Sequence, residues 1–308
     1  VRKRQRTLDV DTTLGLCQFT AVPGISGSGK STLVSQVLPG VLADAGLRTL
    51  LITQQPIGRN SRSTLATYTG LFDRVRKLFA QTEEARRRSW SVSRFSYNVT
   101  EGRCPTCNGE GTIEVELVFL PGSYTICPDC HGARYNPETL EVTWHGYSVA
   151  DILGLTVAEA REVFAAEPQI AAALQALHAV GLDYLRLGQG APELSGGEAQ
   201  RIKLATELQR SGRTRRRTPT VHLLDEPTTG LHPADVDLLV TELNRLVDAG
   251  DTVVVVEHDL RVVARADRVI DLGPGAGPDG GRIIADGTPS QVAVSATATG
   301  QALAAAVG

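Results

Sequence analysis

Gly24-Ile25-Ser26-Gly27-Ser28-Gly29-Lys30-Ser31 is the stretch that decides the fold. A short apolar run, Cys17–Val22, precedes it and reads as a buried strand, with Cys17 in the core. A helical pattern follows from Thr32 to about Asp44. The octapeptide fits GxxxxGK[ST] in the strand-to-helix setting that a phosphate-binding loop requires. Its glycines let backbone N–H groups wrap phosphates. Lys30 reaches the β and γ oxygens, Ser31 can ligate Mg²⁺, and the helix start adds a positive dipole end. Gly24, Gly27, Ser28, Gly29, Lys30, Ser31 and Thr32 are therefore the expected nucleotide contacts.

Such a loop needs a carboxylate nearby, and Val221-His222-Leu223-Leu224-Asp225-Glu226 supplies two. A strand-ending Asp225 suits Mg²⁺, and Glu226 directly after it suits the general base, because phosphoryl transfer needs mainly positioning and charge neutralisation. Around these motifs the pattern alternates. Thr49–Thr53 reads as a strand ending in Gln54. Thr156–Ala165, Ile170–Val180 and Ala234–Asp248 have helical spacing, and a further helix opens at Leu194-Ser195-Gly196-Gly197-Glu198. Val253–Val256 and Arg268–Leu272 read as strands. Alternation of this kind predicts an α/β fold with a mainly parallel sheet.

Residues 58–150 break the rhythm: they are polar, glycine-rich and cysteine-bearing, and read as an insertion. The expected organisation is 1–57 as the first part of an ATP-binding core, 58–150 as the insert, 151–292 as the second part of the core, and 293–308 as a low-complexity tail, frayed or weakly helical. Within the insert, Cys104-x2-Cys107-x19-Cys127-x2-Cys130 has the spacing of one tetrahedral four-thiolate Zn²⁺ site. Gly109, Gly111 and Gly132 permit the tight turns, and His131 is expected outside the ligand shell.

At 308 residues, 42% hydrophobic and 21% charged, the chain is ordinary globular material of about two domains. Disordered polymers, collagens and short disulfide scaffolds are excluded, and no apolar run is long enough to span a membrane. With no leader peptide, five cysteines point to a reduced, cytoplasmic chain. Methionine is absent even at position 1, which fits a fragment or a start codon read as Val. Residues 1–103 carry 16 basic and 7 acidic side chains, whereas 104–308 carry 15 and 27. That asymmetry fits a surface for a polyanion or a solvated face beside a phosphate site.

The Leu194–Glu198 stretch resembles the signature motif of ABC-type ATPases. Gln54 matches the Q-loop glutamine of that superfamily, Thr229-Gly230-Leu231-His232 its D-loop, and His258 its switch histidine. The combination with Gln54–Arg59, Ala66–Gly70, Arg94–Asn98, the cysteine module, Phe119-Leu120-Pro121, Arg134-Tyr135-Asn136, Leu194–Arg201 and Ile270–Pro274 resembles the C-terminal half of the UvrA family of bacterial nucleotide excision repair. This resemblance covers about residues 8–292. It implies an ABC core that binds and hydrolyses ATP, with Glu226, His258 and Gln54 at the reaction and Ser195, Gly196 and Gly197 binding ATP held by an opposed domain. That second nucleotide-binding domain would be a further copy, a full-length UvrA or a separate N-terminal half.

The resemblance also implies binding to duplex DNA by shape, with phosphate contacts from Arg62, Arg86–Arg88, Arg94 and Arg103. Tyr124, between the cysteine pairs, would touch DNA or, more simply, pack. No nuclease activity, no UvrB contact through this chain alone and no membrane partner are expected. The segment between Lys30 and Gln54 is shorter than the family pattern, Pro23 replaces a small or hydroxyl residue, and Arg215–Arg217 lengthen the approach to the Asp-Glu strand. A UvrA-like drug-resistance or transporter-coupled ATPase is the alternative reading. A zinc-dependent DNA-binding remnant that no longer hydrolyses ATP is a third.

Overall fold

The computed structural model describes residues 10–117, 120–211 and 218–307. The basic start (Arg2, Lys3, Arg4, Arg6), Phe119 and the Arg215–Arg217 cluster lie outside the described residues. Among the described residues ten strands follow in order: β1 (Phe19–Val22), β2 (Arg48–Ile52), β3 (Thr112–Leu117), β4 (Leu120–Ile126), β5 (Thr143–Trp144), β6 (Tyr147–Ser148), β7 (Thr220–Asp225), β8 (Thr252–Val256), β9 (Arg268–Gly273) and β10 (Arg282–Gly287). The chain divides into two compact units, one of residues 1–55, 179–181 and 203–308, the other of 56–178 and 182–202.

The first unit is built on a six-stranded sheet of order β10-β9-β1-β8-β7-β2. Every pairing from β9 to β2 is parallel, and only β10 runs antiparallel, on the edge. Central strands buried on both faces read as continuous apolar runs, and β8, Thr-Val-Val-Val-Val, is buried at every residue. Alternation sorts the side chains by face. Val221, Leu223, Val254 and Val256 pack with Leu33, Val34 and Leu42 of the segment after the phosphate loop. That segment is α-helical over Lys30–Thr32, widens into a π-turn over Leu33–Val37 and resumes as a helix over Leu38–Asp44. The helix Pro233–Asp248 covers β1 and β8 with Val236, Leu239, Val240, Leu243 and Leu246, all buried at helical spacing.

The second unit begins at Pro56, close to the expected start of the insert, but it does not end at 150. Residues 151–178 and 182–202, expected in the core, belong to it. The reason is local pairing: Leu65 and Ala66 donate backbone hydrogen bonds to Gln189 and Leu187, and Phe164 stacks on Trp144. The amphipathic helices Val157–Val163 and Pro168–His178 bury their apolar faces there. An aromatic cluster of Phe72, Tyr97 and Tyr135 fills another part of this unit, with Arg134 over the Tyr97 ring.

Three expectations change in detail. Cys17 stands before β1 rather than in it, exposed and with a left-handed φ of 54°, because the strand's hydrogen bonding begins at Phe19. Between the cysteine pairs the chain forms an antiparallel hairpin of β3 and β4, on which Tyr124 is exposed rather than packed. The tail is a helix over Ala298–Val307, anchored by the fully buried Leu303. Among the described residues no helix is long and apolar enough to cross a membrane.

Candidate active site

The phosphate loop leaves β1 through Pro23, and Gly24, Gly27 and Gly29 all take positive φ. At Gly24 any side chain would collide with the Leu272 carbonyl of β9, so glycine is required there by space as well as by φ. Gly29 caps the helix that starts at Lys30. The Lys30 side chain is nearly buried and folds back over the loop, its Nζ donating to the carbonyls of Gly24 and Ile25, both at 2.7 Å. Burial lowers its pKa, while Glu226, Asp225 and Asp271 pull it back up.

Asp225 ends β7 beside this loop and accepts a hydrogen bond from Ser31 Oγ at 3.1 Å. Burial raises its pKa; the Ser31 bond and the Lys30 charge oppose that shift. Glu226 takes a left-handed φ of 48° and its N–H donates to Val256 O at 2.9 Å, which turns the carboxylate toward the loop. His258, two residues beyond the end of β8, brings Nε2 to 3.5 Å from Glu226 Oε1. A cavity of about 170 Å³ is lined by Ser26, Gly27, Gly29, Lys30, Ser31, Thr32, Glu226 and His258. A second, of about 260 Å³, is lined by Ser31, Ser35, Thr53, Gln54, Asp225 and Glu226. The two share Ser31 and Glu226, so the loop, both carboxylates, His258 and the exposed Gln54 line two adjoining cavities.

Ser195, Gly196 and Gly197 belong to the second unit, at the start of the helix Gly196–Ser211. Ser195 N–H donates to Glu198 Oε2 at 2.7 Å and Glu198 N–H to Ser195 Oγ at 3.3 Å, a reciprocal cap. Tyr184 OH donates to the other Glu198 oxygen at 2.7 Å. Burial pushes the Glu198 carboxyl up, but the bonds from Tyr184 and Ser195 hold it below its ordinary value. The Tyr184 phenol is raised to about 12, by burial and by that carboxylate.

The four cysteine sulfurs of the insert lie within 4.8 Å of one another. Cys104 and Cys127 Sγ are 3.9 Å apart, and Cys107 and Cys130 Sγ 3.6 Å. A disulfide needs about 2.05 Å, whereas tetrahedral Zn–S bonds of about 2.3 Å set sulfurs about 3.8 Å apart. The donor set and spacing thus fit a four-thiolate metal ion. Gly109, Gly111 and Gly132 have positive φ, as the spacing predicts, and His131 is exposed and outside the cluster. Backbone N–H groups of Cys130 and Asp129 help lower the Cys127 thiol to about 7.

The family model for ABC transporters matches residues 8–229. The chain belongs to the ABC transporter family. Its core is an ABC-type ATPase fold, and its relatives narrow the comparison. UvrABC system protein A of Thermus thermophilus is 51% identical over 96% of this chain and 33% of that protein. The proteins of the same name from Streptomyces coelicolor and Methanothermobacter thermautotrophicus are each 50% identical, over 96% and 97% of this chain and 31% and 32% of theirs. The crystal structure of UvrA2 from Deinococcus radiodurans superposes with a TM-score of 0.90 at 55% identity, covering 99% of this chain and 39% of that one. The chain thus spans about a third of the length of the curated relatives it matches.

Within this ABC fold the expected arginines divide. Arg62 pairs with Glu110 at 3.6 Å, Arg87 with Glu84 at 2.7 Å, and Arg88 with Glu84 and Glu141 at 2.6 and 2.8 Å. Arg94 lies over Trp90 and bonds Thr139 and Glu138, so it braces the unit. Arg86 is exposed and Arg103 half-buried. Lys203 went unread in the sequence: its Nζ donates to the carbonyls of Thr53 and Gln55, at 3.0 and 2.6 Å, on either side of Gln54. Burial lowers its pKa. The available signal was a lysine two turns after the signature, in a chain with only four.

Proposed function

We propose that this chain binds ATP with Mg²⁺ and hydrolyses it as one nucleotide-binding domain of a UvrA-type DNA-binding protein, in damage recognition for nucleotide excision repair. The observation that carries the reading is the convergence of Ser26, Gly27, Gly29–Thr32, Gln54, Asp225, Glu226 and His258 on two adjoining cavities. Lys30 exchanges its two carbonyl partners for β and γ oxygens, and the loop amides hold the phosphates. Ser31 and Asp225, hydrogen-bonded to each other beside the loop, would hold Mg²⁺, which would supply neutralisation of phosphate charge. Glu226 takes a proton from water as the water oxygen bonds to the γ-phosphorus. The bond from that phosphorus to the β–γ bridging oxygen breaks, and its electron pair leaves with ADP. His258 and Gln54 orient the γ-phosphate and the water.

Ser195, Gly196 and Gly197 bind the γ-phosphate of ATP on an opposed nucleotide-binding domain, using N–H groups at a helix start. Cys104, Cys107, Cys127 and Cys130 would hold Zn²⁺, which would tie together the two cysteine pairs that flank the hairpin. Duplex DNA is the macromolecular partner, met through basic side chains such as Arg86 and Arg103, and the cytoplasm is the compartment. UvrB contact is not assigned to this chain. Glu226→Gln is expected to keep ATP binding and to lower turnover by 10²-fold or more; unchanged turnover would refute the assignment. Anisotropy with labelled duplex tests the partner: affinity should fall steeply with salt, and no binding at low salt would remove DNA from the proposal.

A further inference from the structure

Glu257 lies between the last valine of β8 and His258 and is 2% exposed. A buried carboxylate is costly unless its acceptor sites are filled, and here they are filled from two directions. Oε1 accepts from the backbone N–H and the hydroxyl of Thr228, at 2.8 and 2.7 Å. Oε2 accepts from the backbone N–H groups of His258 and Asp259, at 2.9 and 3.3 Å. Thr228 is two residues past Glu226, and the turn between them is closed by Thr229 N–H on Glu226 O at 3.2 Å.

We infer that Glu257 is a positioning residue that locks the Glu226 turn to the His258 turn through one carboxylate. Glu226 and His258 arrive on different strands, β7 and β8, which end one beside the other with Asp225 opposite Val256. Strand pairing fixes the backbone up to that level. Beyond it each chain turns away, and Glu226 has its left-handed φ within that turn. Glu226 N–H on Val256 O is one tie across the gap. The Glu257 carboxylate adds four bonds, two to each side, and so sets the separation of the two side chains that face the phosphate. Thr228 also leads directly into Thr229–His232, so a displacement of that loop reaches His258 through the same carboxylate. The inference rests on hydrolysis at this site and adds a residue that touches neither phosphate nor water.

The test is a mutant cycle on the full chain, read as single-turnover ATP hydrolysis with nucleotide affinity measured separately. Glu257→Gln keeps the shape but presents an NH₂ to one of the two donor pairs, whichever way the amide turns. Turnover should fall about 10- to 100-fold, the range expected when a reacting group shifts by about 1 Å, with ATP affinity changed by less than about threefold. Thr228→Val, which removes one of the four bonds, should fall in the same direction by less. Glu257→Gln added to His258→Ala should cost little beyond His258→Ala alone, because residues acting as a unit are non-additive. A full multiplicative penalty in the double variant, a loss confined to ATP affinity, or undiminished turnover in Glu257→Gln would overturn the inference. Inactivity of the unaltered chain would instead refute hydrolysis by this chain, and the inference with it.

Discussion

His222 and Asp251 form a pair buried at the beginning of the two strands that deliver the reacting groups. His222 Nε2 and Asp251 Oδ2 are 2.6 Å apart and both side chains are 0% exposed. The other Asp251 oxygen accepts from Thr220 N–H at 3.0 Å. Removing one partner of such a pair strands the other in a medium that solvates it poorly, at a cost of about 3–5 kcal/mol. His222→Leu is therefore expected to lose about that much stability. In a unit of roughly 160 residues each kcal/mol is worth about 2–4 °C, so the core transition should drop by about 6–20 °C. Replacing both partners, His222→Leu with Asp251→Val, removes the stranded carboxylate and leaves chiefly Thr220 N–H without its acceptor, about 1–3 kcal/mol. The double variant should thus be more stable than His222→Leu alone. Calorimetry and urea unfolding of the three chains provide the measurement. A loss below about 1 kcal/mol in His222→Leu, or additive losses in the double variant, would refute the reasoning.

Lys203→Met, which frees the carbonyls on either side of Gln54, should lower turnover about tenfold while ATP affinity holds, in the steady-state assay that separates kcat from KM. Cys127→Ser should abolish stoichiometric zinc by metal analysis and loosen the hairpin, seen as faster amide exchange over 112–126 with the first unit unaffected. The Arg268 hydrogen bond holds the Asp286 carboxyl below its ordinary value, burial opposing. The stability it contributes is therefore present above the unfolded-state pKa and lost as pH falls through the folded one. Asp286→Asn should cost under about 1 kcal/mol at pH 7, since the pair is partly exposed, and in urea titrations the difference from the unaltered chain should shrink as pH falls below the ordinary carboxylate range.

The nucleotide site was legible because its chemistry is local. Eight consecutive residues specify a loop, and an Asp-Glu pair at a strand end needs no knowledge of what packs behind it. The cysteine cluster was legible for the same reason, through the spacing of its pairs. What escaped is what depends on long-range partners. The periodicity of Thr156–Ala165 and Ile170–Val180 predicts an apolar face but not which surface receives it, so these helices read as part of the core from sequence, whereas Val157–Val163 and Pro168–His178 lie in the other unit. The edge strand β10 follows the glycine- and proline-rich Gly273–Gly281, whose composition announces a loop and hides the strand beyond it. The alanine-rich tail reads as frayed or weakly helical, and the structure takes the helical alternative. Alanine is the strongest helix former, and one buried residue, Leu303, is enough to anchor it.

The register of β1 has a consequence for synthesis. Phe19 pairs with Val253 and Thr20 with Arg268, so β1 lies between two strands made more than 230 residues later. At about 5–20 residues per second, a ribosome leaves Phe19–Val22 waiting on the order of ten to fifty seconds for either neighbour. Throughout that interval the phosphate loop has no β9 carbonyl to close against Gly24, and both edges of a strand buried at every residue in the finished fold stay unmated. The residues translated meanwhile, 56–178 and 182–202, form a compact unit of their own. The nascent chain thus carries a cysteine-bearing body outside the ribosome while the ATP-binding core, begun first, is finished last.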